Sequence, residues 1–331
     1  MEQQLCQQME GLTLRLRDMN VTYSLIQNKP GNESIVLQPK AVITKAAQSS
    51  ANNYISRDSA IADDSGDPNH CAEYVLDIYR HLLHEERQLY YLVRPKFLGE
   101  QLNISAHNRS MLVDWLVQVG EKLQLCNVTL HVTVDVMDRY LQVQQVLLQT
   151  LQLVGVASMF LACKYEESCI PSVHDLTYIT NDAYTTGEIR SMEMDILKTV
   201  DYRMNKPLVL EFLRLYFKNT LVIAIEHHLA EYFLELALLD EALSPVHPSK
   251  KAAAALLLAR TVHLAADAAT SKELTPLHFS GYQMSNLTWT VDALKGVVRR
   301  WHSHPTLAAI RHKYAADALG SVSSLPALRN L

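Results

Sequence analysis

The sequence has few of the residues that interrupt regular structure. Only 10 Gly and 11 Pro occur among 331 residues, which argues against a turn-rich β architecture and favours long helices. The five cysteines form no Cys-x-x-Cys pair and no signal peptide opens the chain, so a reducing, intracellular setting is expected. The histidine pairs His81/His84 and His227/His228 show no further ligand at metal-binding spacing, and no metal is predicted.

Signals for several functional classes are also missing. A formal net charge of -5 argues against nucleic-acid binding, which usually needs a basic surface. Membrane insertion is not expected, since the apolar run Ala252–Leu264 is broken by Arg260. No Gly-x-Gly-x-x-Gly, P-loop or Gly-x-Ser-x-Gly motif occurs, so neither an enzyme nor a cofactor is predicted.

The first 70 residues differ in composition from the rest. Ser49–Asn69 is rich in Ser, Asn and Asp and poor in large apolar side chains, which predicts a disordered regulatory leader over residues 1–70. Neither an Arg-x-x-Leu destruction box nor a Lys-Glu-Asn motif occurs there. Arg-x-x-Leu matches beginning at Arg80 and Arg109 fall within predicted helices, where an extended degron cannot form. A leucine-rich export pattern is formed by Leu5, Met9, Leu12 and Leu14.

The first half of the folded region reads as strongly apolar helices. Tyr74–Leu83 carries apolar residues at helical spacing. Ser105 is a candidate N-cap of a helix that runs to about Gln124 and is apolar almost all round, as is typical of the middle of a bundle. A further apolar helix is predicted over Leu147–Tyr165, with Gly155 allowing a neighbouring helix to approach closely.

Residues 130–136 are locally ambiguous. Their alternation of apolar and polar residues is typical of a strand, but residues 137–141 continue with helical spacing, so a helix is predicted. Two capping boxes, which begin at Ser172 and Thr185, predict the starts of two further helices.

A short polar connection, Asp201–Lys206, leads into a second helical set. Pro207 is expected in the first turn of its first helix, where the missing N–H costs nothing. The candidate helices of this set are 208–218, 223–238, 249–265, 287–302 and 306–316. The sequence therefore predicts an all-α protein, with an amino-terminal helix and a first bundle over 71–205 and a similar second bundle over 206–331.

Several long segments resemble those of one family. Three of them occur in the order found in cyclins, and in the mitotic B-type branch in particular: Asn108–Val119 (NRSMLVDWLVQV), Leu151–Glu167 (LQLVGVASMFLACKYEE) and Arg190–Leu197 (RSMEMDIL). Shorter matches are Pro248-Ser249, His312–Ala315 and Ser323–Pro326, so that the likeness spans residues 71–328. The resemblance implies two tandem five-helix cyclin-fold bundles, preceded by the disordered leader and an amino-terminal helix.

The resemblance also implies a function without chemistry of its own. A cyclin is the non-catalytic regulatory subunit of a heterodimer with a cyclin-dependent Ser/Thr protein kinase, and the B-type branch implies kinase activation at the G2/M transition. Shuttling between nucleus and cytoplasm is implied as well. The alternative is a tandem cyclin-fold adaptor or transcription-related scaffold without kinase activation. The acidic net charge and the matched kinase-binding positions disfavour that alternative.

The functional positions of cyclins carry over residue by residue. Arg109 and Asp138 are expected to form an internal ion pair between the first two helices of the bundle, with Leu153 packed nearby. The positions implied to contact the kinase around its αC helix are Lys164, Glu193, Tyr74, Ile78, Tyr165 and Tyr202. Lys164 and Glu193 are expected to point outward and to hydrogen-bond the kinase backbone.

A second interface is implied on the helix that contains the NRSMLVDWLVQV segment. An apolar stripe at helical spacing and two polar flanks form this docking patch: Met111, Leu112, Trp115, Gln118 and Gln152. In cyclins the patch accepts R-x-L-type peptides from substrates and inhibitors. Asn108 stands where the family usually has Met, which predicts weaker or altered docking.

Overall fold

The structure, a computed structural model, describes residues 74–218, 222–266 and 280–331. The chain divides into two compact units. One contains the described residues from Tyr79 onward, and residues 74–78 belong to the other. The predicted leader, with its export pattern and its lack of degrons, lies outside the described residues. Within the described ranges no β-strand occurs, which agrees with the predicted all-α fold.

Eleven α-helices occur in the described residues. In chain order they are α1 (Val75–Glu85), α2 (Ala106–Leu123), α3 (Asn127–Leu141), α4 (Leu151–Glu166), α5 (Val173–Ile179), α6 (Thr186–Thr199), α7 (Val209–Lys218), α8 (Ala224–Leu238), α9 (Pro248–Ala266), α10 (Met284–Trp301) and α11 (Ala309–Lys313). The prediction of two tandem five-helix bundles is confirmed: α2 to α6 form the first and α7 to α11 the second. None of the described helices has the length and apolar character needed to cross a bilayer.

One apolar helix lies at the centre of each bundle. α4 packs against α3, α6 and α2, whereas α9 packs against α7, α8 and α10. Thirteen consecutive residues of α4, Leu151–Cys163, are buried, and burial of each large apolar side chain contributes about 1.5–3 kcal/mol. Gly155 permits the close approach of α2 and α4, since a Cβ at this position would lie 2.8 Å from Leu112 Cδ1.

Side-chain caps confirm three predicted helix starts. Ser105, Ser172 and Thr185 each accept a hydrogen bond of 3.2 Å from the backbone N–H three residues later. In all three cases the backbone N–H of the cap donates in return to the side chain at that later position, which satisfies two helix-end donors at once. The ambiguous residues 130–136 are helical and lie within α3.

Several predicted helix boundaries differ from those of the structure, and two of the differences have a clear local cause. Pro207 lies before α7 and not in its first turn, because the Leu208 N–H donates to Glu211 Oε2 at 2.6 Å and the helix begins after it. The last predicted helix is reduced to the five residues of α11. It ends where the Tyr314 carbonyl accepts a hydrogen bond of 3.2 Å from the Ser323 N–H, and the chain then continues as short 3₁₀ turns.

Candidate functional site

The last turn of α4 and the middle of α6 are joined by an ion pair at the surface. Lys164 Nζ lies 2.6 Å from Glu193 Oε1 and 2.8 Å from Oε2. The Lys164 side chain is 42% exposed, whereas that of Glu193 is 9% exposed. The expectation that both point outward is therefore wrong for Glu193. A buried carboxylate needs a partner, and the ammonium of the neighbouring helix supplies it.

This pair fixes the Lys164 ammonium in one place. Besides the two carboxylate oxygens, the Phe160 ring lies under the ammonium, with its centre 4.1 Å from Nζ. A lysine has three N–H donors, so that one is left for a partner molecule. An ordered lysine side chain has already lost up to about 2 kcal/mol of rotamer entropy. Lys164 is therefore a preorganised hydrogen-bond donor at the protein surface.

The other predicted kinase-binding residues are exposed aromatic and aliphatic side chains. Tyr165, the residue after Lys164, is 50% exposed, and Tyr202 is 60% exposed. Tyr202 lies just beyond α6 with a backbone φ of 57°, a left-handed conformation that costs about 1–3 kcal/mol in a residue with a side chain. Tyr74 and Ile78 are exposed and belong to the other unit. Their role in kinase binding stays a prediction.

Arg109 and Asp138 form the internal ion pair expected between α2 and α3. Arg109 Nε donates to Asp138 Oδ1 at 2.6 Å and Nη2 donates to Oδ2 at 2.7 Å, and both side chains are buried. The pair also reaches the second bundle: Arg109 Nη1 donates to the Leu238 carbonyl at 2.8 Å, and Ser244 Oγ donates to Asp138 Oδ2 at 2.8 Å. Leu153 is buried in α4. The pair therefore connects the two bundles as well as two helices.

Two further side chains of α2 form hydrogen bonds with the second bundle. Ser110 Oγ donates to the Leu239 carbonyl at 2.6 Å, and Asp114 Oδ1 accepts from the Ala309 N–H at 3.0 Å. Neither contact was predicted from the sequence. A carboxylate in the middle of an otherwise apolar helix was the available signal, since a buried charge must have a partner.

A network at the end of α1 was likewise missed. Glu86, one residue beyond α1, accepts from the backbone N–H of Ser249 at 2.9 Å and from its hydroxyl at 2.6 Å. It therefore caps the start of the central helix α9. Tyr79, on α1, donates to the Ser280 carbonyl at 2.8 Å. The carboxyl-terminal half of α1 is thus hydrogen-bonded to the second bundle.

The predicted docking patch is closed. Met111, Leu112, Trp115 and Gln152 are 6%, 2%, 1% and 5% exposed, and Gln118 is half-buried. The structure therefore buries most of the predicted docking residues, and their role in peptide docking stays a prediction. The physical reason is the close approach of α2 to α4, which places the Leu112 side chain against Gly155.

The closed patch nevertheless contains buried donors that lack acceptors. Asn108 Nδ2, Trp115 Nε1 and Gln152 Nε2 have no hydrogen-bond partner among the described residues. Asn108 Oδ1 is occupied in the helix cap, where it accepts from the Ser105 N–H at 2.9 Å and from its hydroxyl at 2.7 Å. Leaving a buried donor unsatisfied costs about 1–3 kcal/mol, so a molecule that supplied acceptors here would recover that energy.

The chain matches two family models in tandem. Residues 77–205 match the model described as cyclin, N-terminal domain, and residues 207–328 match cyclin, C-terminal domain. The chain therefore belongs to the cyclin family. A viral cyclin from herpesvirus saimiri has the same fold, with a TM-score of 0.50 and 20% identity over 68% of this chain and 97% of that protein.

Within the cyclins the chain is similar to mitotic B-type members. G2/mitotic-specific cyclin-B2 of Rana japonica is 41% identical over 271 residues, or 82% of this chain and 67% of that protein. Cyclin-B2 of Gallus gallus is 41% identical over 81% of this chain and 66% of that protein, and cyclin-B1 of Oryzias latipes is 38% identical over 81% and 65%. The chain spans about two thirds of the length of these relatives.

Proposed function

We propose that this chain is the regulatory subunit of a cyclin-dependent Ser/Thr protein kinase and activates that kinase at the G2/M transition. The observation that carries the proposal is the Lys164–Glu193 pair, which presents a fixed donor next to the exposed Tyr165. The similarity to G2/mitotic-specific B-type cyclins supports the timing. An adaptor without kinase activation would leave the positioned lysine without a role, and we do not favour it.

The mechanism follows from what a protein kinase requires. Its β3 lysine must pair with the αC glutamate before the ATP phosphates are oriented. A partner that binds the αC-in conformation more tightly than the inactive one shifts the kinase toward activity by that difference in affinity. In this proposal the remaining N–H of Lys164 donates to a backbone carbonyl beside αC. Because the side chain is already ordered, little entropy is lost on binding.

The proposal is tested by reconstitution. The full chain is mixed with a mitotic cyclin-dependent kinase, the complex is purified, and histone phosphorylation is measured. We expect a stable heterodimer whose activity exceeds that of the free kinase by orders of magnitude. Phosphorylation no faster than that of the free kinase would contradict activation, and a stable but inactive complex would favour the adaptor alternative.

A charge exchange separates kinase binding from folding. The double variant Lys164→Glu/Glu193→Lys keeps an ion pair between α4 and α6 but reverses the charge at the surface. We expect kinase binding to be lost while the helical circular dichroism spectrum is retained. The matched control exchanges the exposed pair Arg94 and Glu100, whose charged atoms are 2.9 Å apart, and leaves binding unchanged. Unaltered kinase affinity of the first variant would refute the assigned surface.

We also propose that the closed patch on α2 opens to accept R-x-L-type peptides. Its support is the pair of unsatisfied donors of Trp115 and Gln152, which peptide carbonyls would satisfy. Asn108→Met restores the apolar residue of the family and should tighten binding of a labelled R-x-L peptide about tenfold, equivalent to about 1.4 kcal/mol. Fluorescence polarisation measures this affinity. An unchanged affinity would show that Asn108 does not influence peptide docking.

Distribution between nucleus and cytoplasm is part of the same proposal. The export pattern that supports shuttling lies in the amino-terminal leader, outside the described residues. Replacing Leu12 and Leu14 with alanine in a fluorescent fusion should shift the steady-state distribution toward the nucleus. An unchanged distribution would assign export to another segment.

A further inference from the structure

Three side chains of metal-ligating type meet on the first two turns of α8. Glu231 Oε2 lies 3.3 Å from His228 Nδ1 and 3.6 Å from His227 Nδ1. One ligand atom from each of the three residues lies within 4.8 Å of the other two. The side chains of His227, His228 and Glu231 are 23%, 27% and 17% exposed, so the group is open to solvent and yet partly enclosed by the second bundle.

The two histidines differ in their contact with Glu231. His228 Nδ1 is hydrogen-bonded to Glu231 Oε2 at 3.3 Å, whereas the 3.6 Å between His227 Nδ1 and the same oxygen is too long for a hydrogen bond. In a tetrahedral zinc site with bonds of about 2.0–2.2 Å, neighbouring ligand atoms are about 3.4 Å apart. Glu231 Oε2 is therefore near ligand spacing from both imidazoles, and binding one ion requires the two histidine side chains to rotate until their ligand atoms are equally close.

The surrounding structure limits the freedom of these ligands. The His227 ring packs edge-on against Phe217, with centroids 4.6 Å apart and an interplanar angle of 61°. The His227 and His228 rings are 5.9 Å apart. All three ligands belong to one helix, whose backbone fixes their spacing. Binding of an ion would therefore need rotation of side chains but no change in the helix backbone.

The ligand types restrict which ion fits. Two imidazoles and one carboxylate are typical of zinc and neighbouring transition metals, whereas magnesium and calcium prefer oxygen ligands alone. A set of two histidines and one glutamate leaves a fourth coordination position for water.

We propose that His227, His228 and Glu231 bind one divalent transition-metal ion of the zinc class. The site lies on the second bundle and goes beyond the proposed kinase-binding surface at Lys164. The sequence prediction of no metal rested on the histidine pair without a third ligand. The pattern His-His-x-x-Glu on a predicted helix indicates Glu231 as that third ligand, because the carboxylate lies one turn after the histidines.

Calorimetry on the chelator-treated full chain, titrated with zinc sulfate, tests the site. We expect saturable binding of one ion that depends on these three residues. Mutation of a residue that only hydrogen-bonds a metal ligand lowers metal affinity about 10–100-fold. His227→Gln and Glu231→Gln remove ligands themselves, so each should lower zinc affinity at least about 100-fold. The exposed His174 on α5 provides the control variant His174→Gln, with unchanged affinity. Magnesium should not compete.

A rescue variant separates ligand loss from misfolding. Glu231→His keeps a ligand at the same position, so it should bind zinc and cobalt, with visible absorption bands for the cobalt form. Circular dichroism checks the fold of every variant. The proposal is overturned if no saturable binding occurs, if His227→Gln and Glu231→Gln bind zinc like the unmodified chain, or if folded Glu231→His binds no better than Glu231→Gln.

Discussion

Asp114 in α2 accepts a hydrogen bond of 3.0 Å from the backbone N–H of Ala309 in α11, across 195 residues of sequence. Its second oxygen accepts from Gln118 Nε2 at 3.1 Å. Burial removes water from the carboxylate and raises its pKa from 3.8 to about 6, an increase that the two hydrogen bonds only partly offset. The contact between the bundles therefore depends on pH.

Asp114→Asn should remove this pH dependence. Because the pKa of Asp114 is higher in the folded state, the stabilising effect is complete below about pH 4 and is lost as the pH rises through 6. About two pKa units at 1.4 kcal/mol each correspond to a loss of about 2–3 kcal/mol in the free energy of unfolding between pH 4 and 7. Urea denaturation at several pH values measures it, with the exposed Asp292→Asn as control. If the free energy of unfolding changes equally with pH in Asp114→Asn and in the unmodified chain, the Asp114 carboxylate is not the titrating group.

Asp138→Ala should destabilise the protein strongly. The change leaves the buried Arg109 guanidinium without its partner, and breaking a buried pair in this way costs about 3–5 kcal/mol. Glu100→Ala is the matched control, because the exposed pair with Arg94 contributes about 0–1 kcal/mol. Denaturant unfolding gives both values, and a loss below about 1 kcal/mol for Asp138→Ala would argue against the importance of the pair.

Gly155→Ala should separate α2 from α4. The new Cβ would lie 2.8 Å from Leu112 Cδ1, and overpacking of a core typically costs about 1–3 kcal/mol. Gly296 in α10 has no atom within 4 Å of a built Cβ, so Gly296→Ala should instead stabilise its helix by about 1 kcal/mol. Thermal unfolding of the two variants should therefore shift in opposite directions. A shift upward for both would mean that Leu112 moves aside without cost.

Glu86→Ala should weaken the start of α9. The change removes two hydrogen bonds to Ser249, one of them from a buried backbone N–H, and leaving such a donor unsatisfied costs about 1–3 kcal/mol. Glu85, the preceding residue, accepts only a long bond of 3.4 Å from Tyr90 among the side-chain bonds of the described region. Glu85→Ala should therefore change the free energy of unfolding much less. Equal effects in urea denaturation would contradict a capping role for Glu86.

The local features of the fold were predictable from the sequence because their causes are local. The caps at Ser105, Ser172 and Thr185 involve partners three residues away. The helical spacing over residues 137–141 was enough to outweigh the strand-like pattern of residues 130–136. In these segments, helix formation is determined by residues that are close in the sequence.

The candidate site was predictable only in part, because burial and pairing depend on distant segments. Helices that are apolar all round, such as α2 and α4, have no polar face to indicate which side meets solvent, so Trp115 was expected at the surface and is buried. Glu193 was expected to point outward, whereas it pairs with Lys164 on another helix. The contact between Asp114 and Ala309 joins the two bundles, and no spacing within either bundle indicates it.

The hydrogen bonds from α2 into the second bundle have a consequence for folding. A fragment that ends at residue 205 would retain the first bundle but leave Arg109 Nη1, Ser110 and Asp114 without the partners they have at Leu238, Leu239 and Ala309. Unsatisfied groups at a newly exposed face destabilise the fragment relative to the whole. The two repeats should therefore melt together in one cooperative transition, so that the boundary between them separates two copies of a fold without separating two independent folding units.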